Sequence, residues 1–266
     1  MAFIMGTAAN DTLAGQNEAD IIRGFAGDDE LSGEGGDDTL AGDDGSDQLD
    51  GGEGNDILFG GAGADNLFGG PGDDVLYIRG NDSTVEGGDG FDRAIVNDAA
   101  GVSITLSFGT DYVAGYLGDD VIDGSFRPIP LTLGGGPGND IVKGGSADDI
   151  LSGFTGNDKI FGNDGFDQIF GGPGNDRLYG GHGNDNLTLG AGFDVVVVED
   201  CSGTDYVFEF ANCADRFDFS CHSSVRAFND LTITNANGHA FVTFEGGELV
   251  VVGGAGLLDP SDFIFA

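Results

Sequence analysis

The chain has 266 residues, nine of them basic and 47 acidic, for a formal net charge of −38. With no basic patch to neutralise phosphates, it has no footprint for nucleic acid and no electrostatic pull towards anionic membranes. Its 52 glycines and lack of tryptophan leave a conventional core thin, and no apolar run reaches the roughly 18 residues that a membrane-spanning helix needs.

The chain opens with MAFIMGTAAND, which has no basic n-region and too short an apolar stretch for a secretory signal. From Gly6 a nine-residue period takes over. It is clearest at 51–77, which reads GGEGNDILF, GGAGADNLF, GGPGDDVLY without a spacer. Glycine holds positions 1, 2 and 4, aspartate position 6 and leucine position 8. Block one, residues 1–95, contains ten such units from residue 6 without insertion or deletion. The first two units lack most of the glycines, so weak or no metal binding is expected there. Ser83 replaces the position-6 aspartate in one unit, which predicts the end of one row of sites.

The spacing carries chemistry. Positions 1–6 must turn tightly, and glycine reaches φ > 0 without steric cost. Positions 7–9 form a short strand whose side chains alternate between faces. Position 8 reads Leu13, Ile22, Leu31, Leu40, Leu49, Leu58, Leu67, Leu76 and Val85, an unbroken apolar ladder that must face inward. Two units then make one coil of eighteen residues with a sheet on each side. Equivalent turns fall eighteen residues apart, about 4.8 Å along the axis. Asp11, Asp29, Asp47 and Asp65 line one edge; Asp20, Asp38, Asp56, Asp74 and Asp92 line the other. Carboxylates stacked this closely repel unless a cation lies between them. Calcium suits the gap because it accepts six to eight hard oxygens in a tolerant geometry.

Residues 96–134 interrupt the repeats. Val102, Ile104 and Leu106 alternate, as do Ile129, Leu131 and Leu133, so these stretches are expected to continue the roll as coils without calcium turns. A lone unit, GYLGDDVID, places Asp120 between them. Block two, 135–197, has seven units that set Asp140, Asp158, Asp176 and Asp194 on one edge and Asp149, Asp167 and Asp185 on the other. The near-multiples of nine predict one continuous roll from Gly6 to about Val197, with bulges, a break at the interruption being the alternative. Adjacent pairs on all edges give about twelve ions as an upper count, or about +24 against the formal −38. From about Glu199 the period is lost. Runs at 206–210, 216–220, 231–234, 240–244 and 248–252 look like strands, with Asn237-Gly238 and Gly246-Gly247 as turns. A β cap over 198–266 is needed to cover the open sheet edge.

The pattern G-G-x-G-x-D-x-U-x resembles the RTX family of hemolysin-type calcium-binding repeats, with seventeen position-6 aspartates in phase over roughly two thirds of the chain. The resemblance implies an all-β fold, a parallel β-roll (right-handed β-helix) with a C-terminal antiparallel cap. It implies that turn carbonyls, including those of Gly51, Gly60, Gly69, Gly171 and Gly180, join the aspartates around calcium. The order DYVFEF…DRFDFS…FNDLTIT…GHAFVTF…LVVVGG…DPSDFIFA is similar to the cap and export signal that follows the repeats in RTX proteases and lipases. That likeness implies a chain exported unfolded through type I secretion machinery, then folded by extracellular calcium. The self-repulsion of the bare chain and the scarcity of calcium in cytosol point the same way.

Catalysis finds no support in the residues. His182, His222 and His239 are far apart, and there is no H-E-x-x-H, G-x-S-x-G or G-K-[ST]. Cys221 and His222 are neighbours on a strand-like run and should point to opposite faces. Cys201, Cys213 and Cys221 are an odd number, leaving open either small buried residues or one disulfide with one free thiol. Position 9 is Phe59, Phe68 and Tyr77 in block one and Phe161, Phe170 and Tyr179 in block two, an outward aromatic ladder. It reads either as sheet-strengthening stacking or as a contact surface. The sequence thus favours a secreted, non-enzymatic calcium-binding protein of the cell surface or extracellular matrix, acting by self-association. A calcium-dependent glycan-binding module is the alternative, and a membrane-active RTX protein a third, although the apolar domain of such toxins has no counterpart here.

Overall fold

The computed structural model describes every residue except 81, 83, 99, 100, 107, 108, 201, 212, 213 and 255–257. Ser83, Cys201 and Cys213 therefore lie outside the described residues. The chain divides into two compact units, Met1–Gly118 and Asp119–Ala266, and both are parallel β-solenoids.

In the first unit one sheet runs through Phe3–Met5, Ile21–Ala26, Thr39–Asp44, Ile57–Ala62, Val75–Ile78, Asp92–Val96 and Thr110–Ala114. The opposite sheet runs through Thr12–Ala14, Glu30–Ser32, Gln48–Asp50, Asn66–Pro71 and Thr84–Asp89. The register follows the eighteen-residue coil. Ile22 pairs with Leu40, Leu40 with Leu58 and Leu58 with Leu76 on one side. Leu13, Leu31, Leu49, Leu67 and Val85 align on the other. From Ile22 to Leu76 the position-8 ladder is buried to within 1%. Only its ends, Leu13 and Val85, are half-buried.

The second unit repeats the plan. One sheet holds Thr132–Pro137, Ile150–Thr155, Gln168–Pro173, Asn186–Ala191, Gly203–Phe208 and Gly247–Val251 in parallel. It ends with His239–Phe244 and Thr232–Ala236, which are antiparallel. The facing sheet holds Val121–Asp123, Ile141–Lys143, Lys159–Gly165, Arg177–Gly183, Val195–Val197, Arg216–Asp218 and Phe263–Ile264. Leu131 and Leu133 are buried as their alternation predicts, whereas Ile129 is exposed and the strand starts only at Thr132.

All five strand-like runs after Glu199 are strands, but the first two are not part of the antiparallel cap. Gly203–Phe208 stacks in parallel on Asn186–Ala191, and Arg216–Asp218 on Val195–Val197. The physical reason is that stacking requires only an inward apolar residue per strand. Val207 and Phe217 supply it at full burial, although the full glycine-rich turn is not repeated there. At the other end Phe3–Met5 adds a strand ahead of the first repeat, in register with Ile21, Ile22 and Arg23.

The turns separate two demands on glycine. At position 2 the backbone is in the ordinary left-handed region, and Phe25, Glu34, Asp43, Phe154 and Asn163 adopt it at φ of 71–80°. At position 4, Gly54, Gly63, Gly72, Gly174 and Gly192 take φ of 136–155°, a region essentially confined to glycine. There the carbonyl of the preceding turn also occupies the space a Cβ would need.

Candidate metal centre

Each position-6 aspartate sits where the turn becomes a strand, so the solenoid stacks these residues directly above one another. One carboxylate oxygen is fixed by the backbone. The N–H of Asp29 donates to Oδ1 of Asp47 at 2.8 Å, and that of Asp47 to Asp65 at 2.9 Å. On the other edge Asp38, Asp56 and Asp74 donate to Asp56, Asp74 and Asp92 at 2.7–2.8 Å. In the second unit Asp140, Asp158 and Asp176 donate to Asp158, Asp176 and Asp194, and Asp149 and Asp167 to Asp167 and Asp185, at 2.8–2.9 Å. Asp120 joins the same ladder through its N–H to Asp140 Oδ1 at 2.7 Å.

The second oxygen is different. Oδ2 of Asp29, Asp38, Asp47, Asp56, Asp65, Asp74, Asp92, Asp140, Asp158, Asp167, Asp176, Asp185 and Asp194 is buried with no hydrogen-bond partner. A buried carboxylate oxygen left unpaired is costly. Burial first, and then the neighbouring carboxylates, push Asp74, Asp140, Asp167 and Asp176 up to about 7. Burial likewise lifts Asp47, Asp56, Asp92, Asp185 and Asp194 to about 6.

The position-1 glycines show what faces these oxygens. A methyl group on Gly171 would lie 2.7 Å from Asp176 Oδ2 and 2.5 Å from the Leu189 carbonyl in the next coil. One on Gly60 would lie 2.6 Å from Asp65 Oδ2, and one on Gly51 would lie 2.6 Å from the Gly69 carbonyl and against Asp56 Oδ2. Gly69 similarly faces Asp74 Oδ2 and the Gly87 carbonyl, and Gly180 faces Asp185 Oδ2. Carboxylate and carbonyl oxygens therefore converge where glycine leaves room. Among the described residues, no three His, Cys, Asp or Glu side chains gather around one point. That donor set, carboxylates supplemented by main-chain carbonyls, fits a hard oxygen-seeking dication such as calcium.

The first coil departs from this pattern. Asp11 Oδ2 accepts from the Thr7 N–H at 2.6 Å and the Thr7 hydroxyl at 2.9 Å. Asp20 accepts from the N–H groups of Ala2 and Gln16, and these bonds hold its carboxyl below the usual range. Asp149 Oδ2 is also occupied, by the Gly145 N–H at 2.6 Å.

Four aspartates escaped the sequence reading. Asp65 donates its N–H to Asp82 at 3.4 Å, so a carboxylate one residue before Ser83 extends that edge. Asp111, Asp205 and Asp215 receive the N–H groups of Asp92, Asp185 and Asp194 at 3.2, 3.1 and 3.0 Å. Burial drives Asp205 up to about 8. A second ladder at position 5 was also missed. Asn10 accepts from Asp28, Asp28 from Ser46, Asn139 from Asn157 and Asn157 from Asn175, at 2.9–3.0 Å. The Asn or Asp that precedes the position-6 aspartate in many units, such as Asn10, Asp28, Asn139, Asn157 and Asn175, was its signal.

Outside the ladders, Cys221 is an exposed free thiol and its neighbour His222 is buried against Phe219 and Phe244, but the two lie in the turn after Arg216–Asp218 rather than on a strand as expected. His182 Nδ1 lies 2.9 Å from Asp164, and His239 Nδ1 accepts from the Gly253 N–H at 3.1 Å. Phe59 stacks on Tyr77 at 4.5 Å between ring centroids, and Phe161 on Tyr179 at 4.3 Å.

Residues 5–40, 41–76, 104–126, 134–169 and 161–196, more than half of the chain, match the RTX calcium-binding nonapeptide repeat (four copies). None of the curated proteins matches. Among solved structures, the chain is similar to the R3 subunit of a mannuronan C5-epimerase from Azotobacter vinelandii, at 25% identity and a TM-score of 0.39. That likeness covers 46% of this chain and 80% of the subunit. It is also similar to an extracellular lipase from Serratia marcescens, at 15% identity and a TM-score of 0.40, over 99% of this chain but 40% of the lipase.

Proposed function

This chain belongs to the RTX calcium-binding repeat family, and from that premise we propose that it is a secreted, non-enzymatic protein that folds when it binds extracellular calcium. The observation that carries the reading is the row of buried, unpartnered Oδ2 atoms facing glycine-turn carbonyls. A dication at each step would satisfy both and cancel the repulsion along the edge. About a dozen ions would offset much of the charge of −38. Because calcium binds only the folded turns, its binding free energy is folding free energy.

Export unfolded by type I secretion machinery accords with this logic, since the bare chain is held open by its own charge. The role is structural, at the cell surface or in the extracellular matrix, through self-association. The test is circular dichroism during calcium titration with a parallel calorimetric count of ions. A chain that is already strand-rich and compact in excess chelator at neutral pH would refute calcium-driven folding. Light scattering tests the matrix role: it requires calcium-dependent growth beyond the monomer. The half-exposed stacked pairs at Phe59 and Phe161 favour a second reading, calcium-dependent glycan binding, which a glycan array run with and without calcium separates from the first.

A further inference from the structure

In the first unit, each of the seven strands from Phe3–Met5 to Thr110–Ala114 turns two side chains outward, one on either side of its inward residue. None of these fourteen side chains is acidic, and eleven are apolar or aromatic. Phe3, Met5, Ile57 and Phe59 are 37–67% exposed. Ala41, Phe59, Tyr77 and Ile95 follow one another across the strands in register, so the apolar surface is continuous. The two charges on the face are arginines. Arg23 is held by Asp43 of the turn at the rim, and Arg93 lies over the Tyr112 ring at 5.4 Å.

The composition runs against such a face. Acidic residues are 47 of 266 and seek the surface, so about two or three would fall on fourteen outward positions by chance alone. The opposite sheet shows that the fold does not exclude them. Its outward positions carry Glu30, Asp50 and Glu86 and no basic residue, on strands of the same length and the same turn chemistry. Strand propensity therefore does not account for the acid-free face, and stacking of Phe59 on Tyr77 explains only its middle.

We propose that this face is where a second copy of the chain docks, the same sheet against the same sheet. Even with about a dozen calcium ions the protein remains negative, so two copies repel wherever their carboxylates oppose. Apposing these two faces brings apolar side chains together with no carboxylate opposite another, and sheets pack face to face in this way at about 10 Å. Seven strands of three residues give a face of about 30 by 10 Å, or about 300 Å² in plan. That is small beside the roughly 800 Å² per partner of a stable complex, so the pairing is weak and reversible. The inference rests on the self-association reading and gives it a surface.

The test is sedimentation of the full chain in saturating calcium, from micromolar to millimolar protein. The wild type should dimerise, and Phe59→Asp should raise the dissociation constant at least tenfold. Ala41→Asp, which lies beside Phe59 in register and leaves the Phe59–Tyr77 stack intact, should do the same. Phe68→Asp, at the matching position of the opposite sheet, should leave it unchanged. Pairing should tighten as salt rises, because screening relieves the repulsion between two negative chains. Equal pairing in Phe59→Asp and Ala41→Asp, loss of pairing in Phe68→Asp instead, or weakening with salt overturns the proposal. A wild type that folds with calcium yet stays monomeric at millimolar concentration overturns it and the self-association reading together, and leaves calcium-driven folding standing. A chain whose circular dichroism does not respond to calcium refutes the proposed function itself.

Discussion

Asp167→Asn should stabilise the metal-free chain and weaken the calcium-loaded one. Asp167 is fully buried; its Oδ1 holds the Asp149 N–H at 2.8 Å and its Oδ2 has no partner. Burial, then Asp185 and Asp149, raise its carboxyl from 3.8 to about 7. At pH 8 keeping it ionised in the bare fold therefore costs on the order of 4 kcal/mol. Asparagine keeps the Oδ1 acceptor and removes that charge. In excess chelator at pH 8, the variant should need less osmolyte to fold, by a shift equivalent to roughly 2–4 kcal/mol. With calcium the sign reverses, because a charged ligand is lost. The midpoint of calcium-induced folding should rise at least tenfold, about 1.4 kcal/mol. The assay is circular dichroism against osmolyte in chelator and against calcium without it. An unchanged calcium midpoint, or a variant harder to fold in chelator, refutes the carboxylate ladder as the seat of the metal.

Protons should partly replace calcium. The aspartates that burial lifts to about 6 or 7 sit at 3.8 when unfolded, so the metal-free fold binds extra protons. Their contribution is fully present below about pH 4 and is lost as pH rises through 6 to 7. In chelator the chain should be strand-rich at pH 4–5 and unfolded at pH 8; a calcium-free chain that gains structure as pH rises contradicts the assignment. Gly63→Ala puts a Cβ into a φ of 146° against the Gly45 carbonyl. It should cost about 3 kcal/mol in calcium-loaded urea unfolding, whereas Glu34→Ala at the permissive position 2 should stay within about 1 kcal/mol. Leu178→Ala empties a fully buried rung and should cost roughly 3 kcal/mol in the same assay.

Much of this was legible because one short period sets both the strand and the turn. Position 8 fixed the inward ladder, and position 6 fixed which carboxylates stack, down to the pairs that the backbone links at eighteen residues. The continuation past residue 197 was harder to read. Gly203–Phe208 follows the preceding repeat by an eleven-residue step rather than nine, so the phase is lost although glycine, aspartate and valine keep their relative places. The same slip hid Asp111, which a bulge moves one position off its rung. Asp82 was hidden because serine holds position 6 after it, while its carboxylate takes the Asp65 amide from the adjacent position. Sequence phase is strict only where every position of the unit is constrained. A turn that keeps the carboxylate and the inward residue can take extra residues elsewhere.

That tolerance bears on how the chain responds to calcium. A strand needs its inward residue whether or not metal is present, and Ile22 through Leu76 supply it without a gap. The apolar ladder alone buries one side chain per nine residues, a thin return against ordering nine backbones at roughly 1–2 kcal/mol each. The turns must therefore contribute favourably for the solenoid to exist, yet bare they carry buried carboxylates lifted towards neutrality. Only a ligand that turns those carboxylates from a cost into a gain changes the sign of the turn's contribution. Because each aspartate touches the coils on both sides of it through its N–H and its Oδ1, filling one step organises the next. Calcium-driven folding along a row should for that reason be steeper than independent sites allow, with a Hill coefficient well above one. A titration that fits independent sites would show that the coils form one by one, and that the ladder does not couple them.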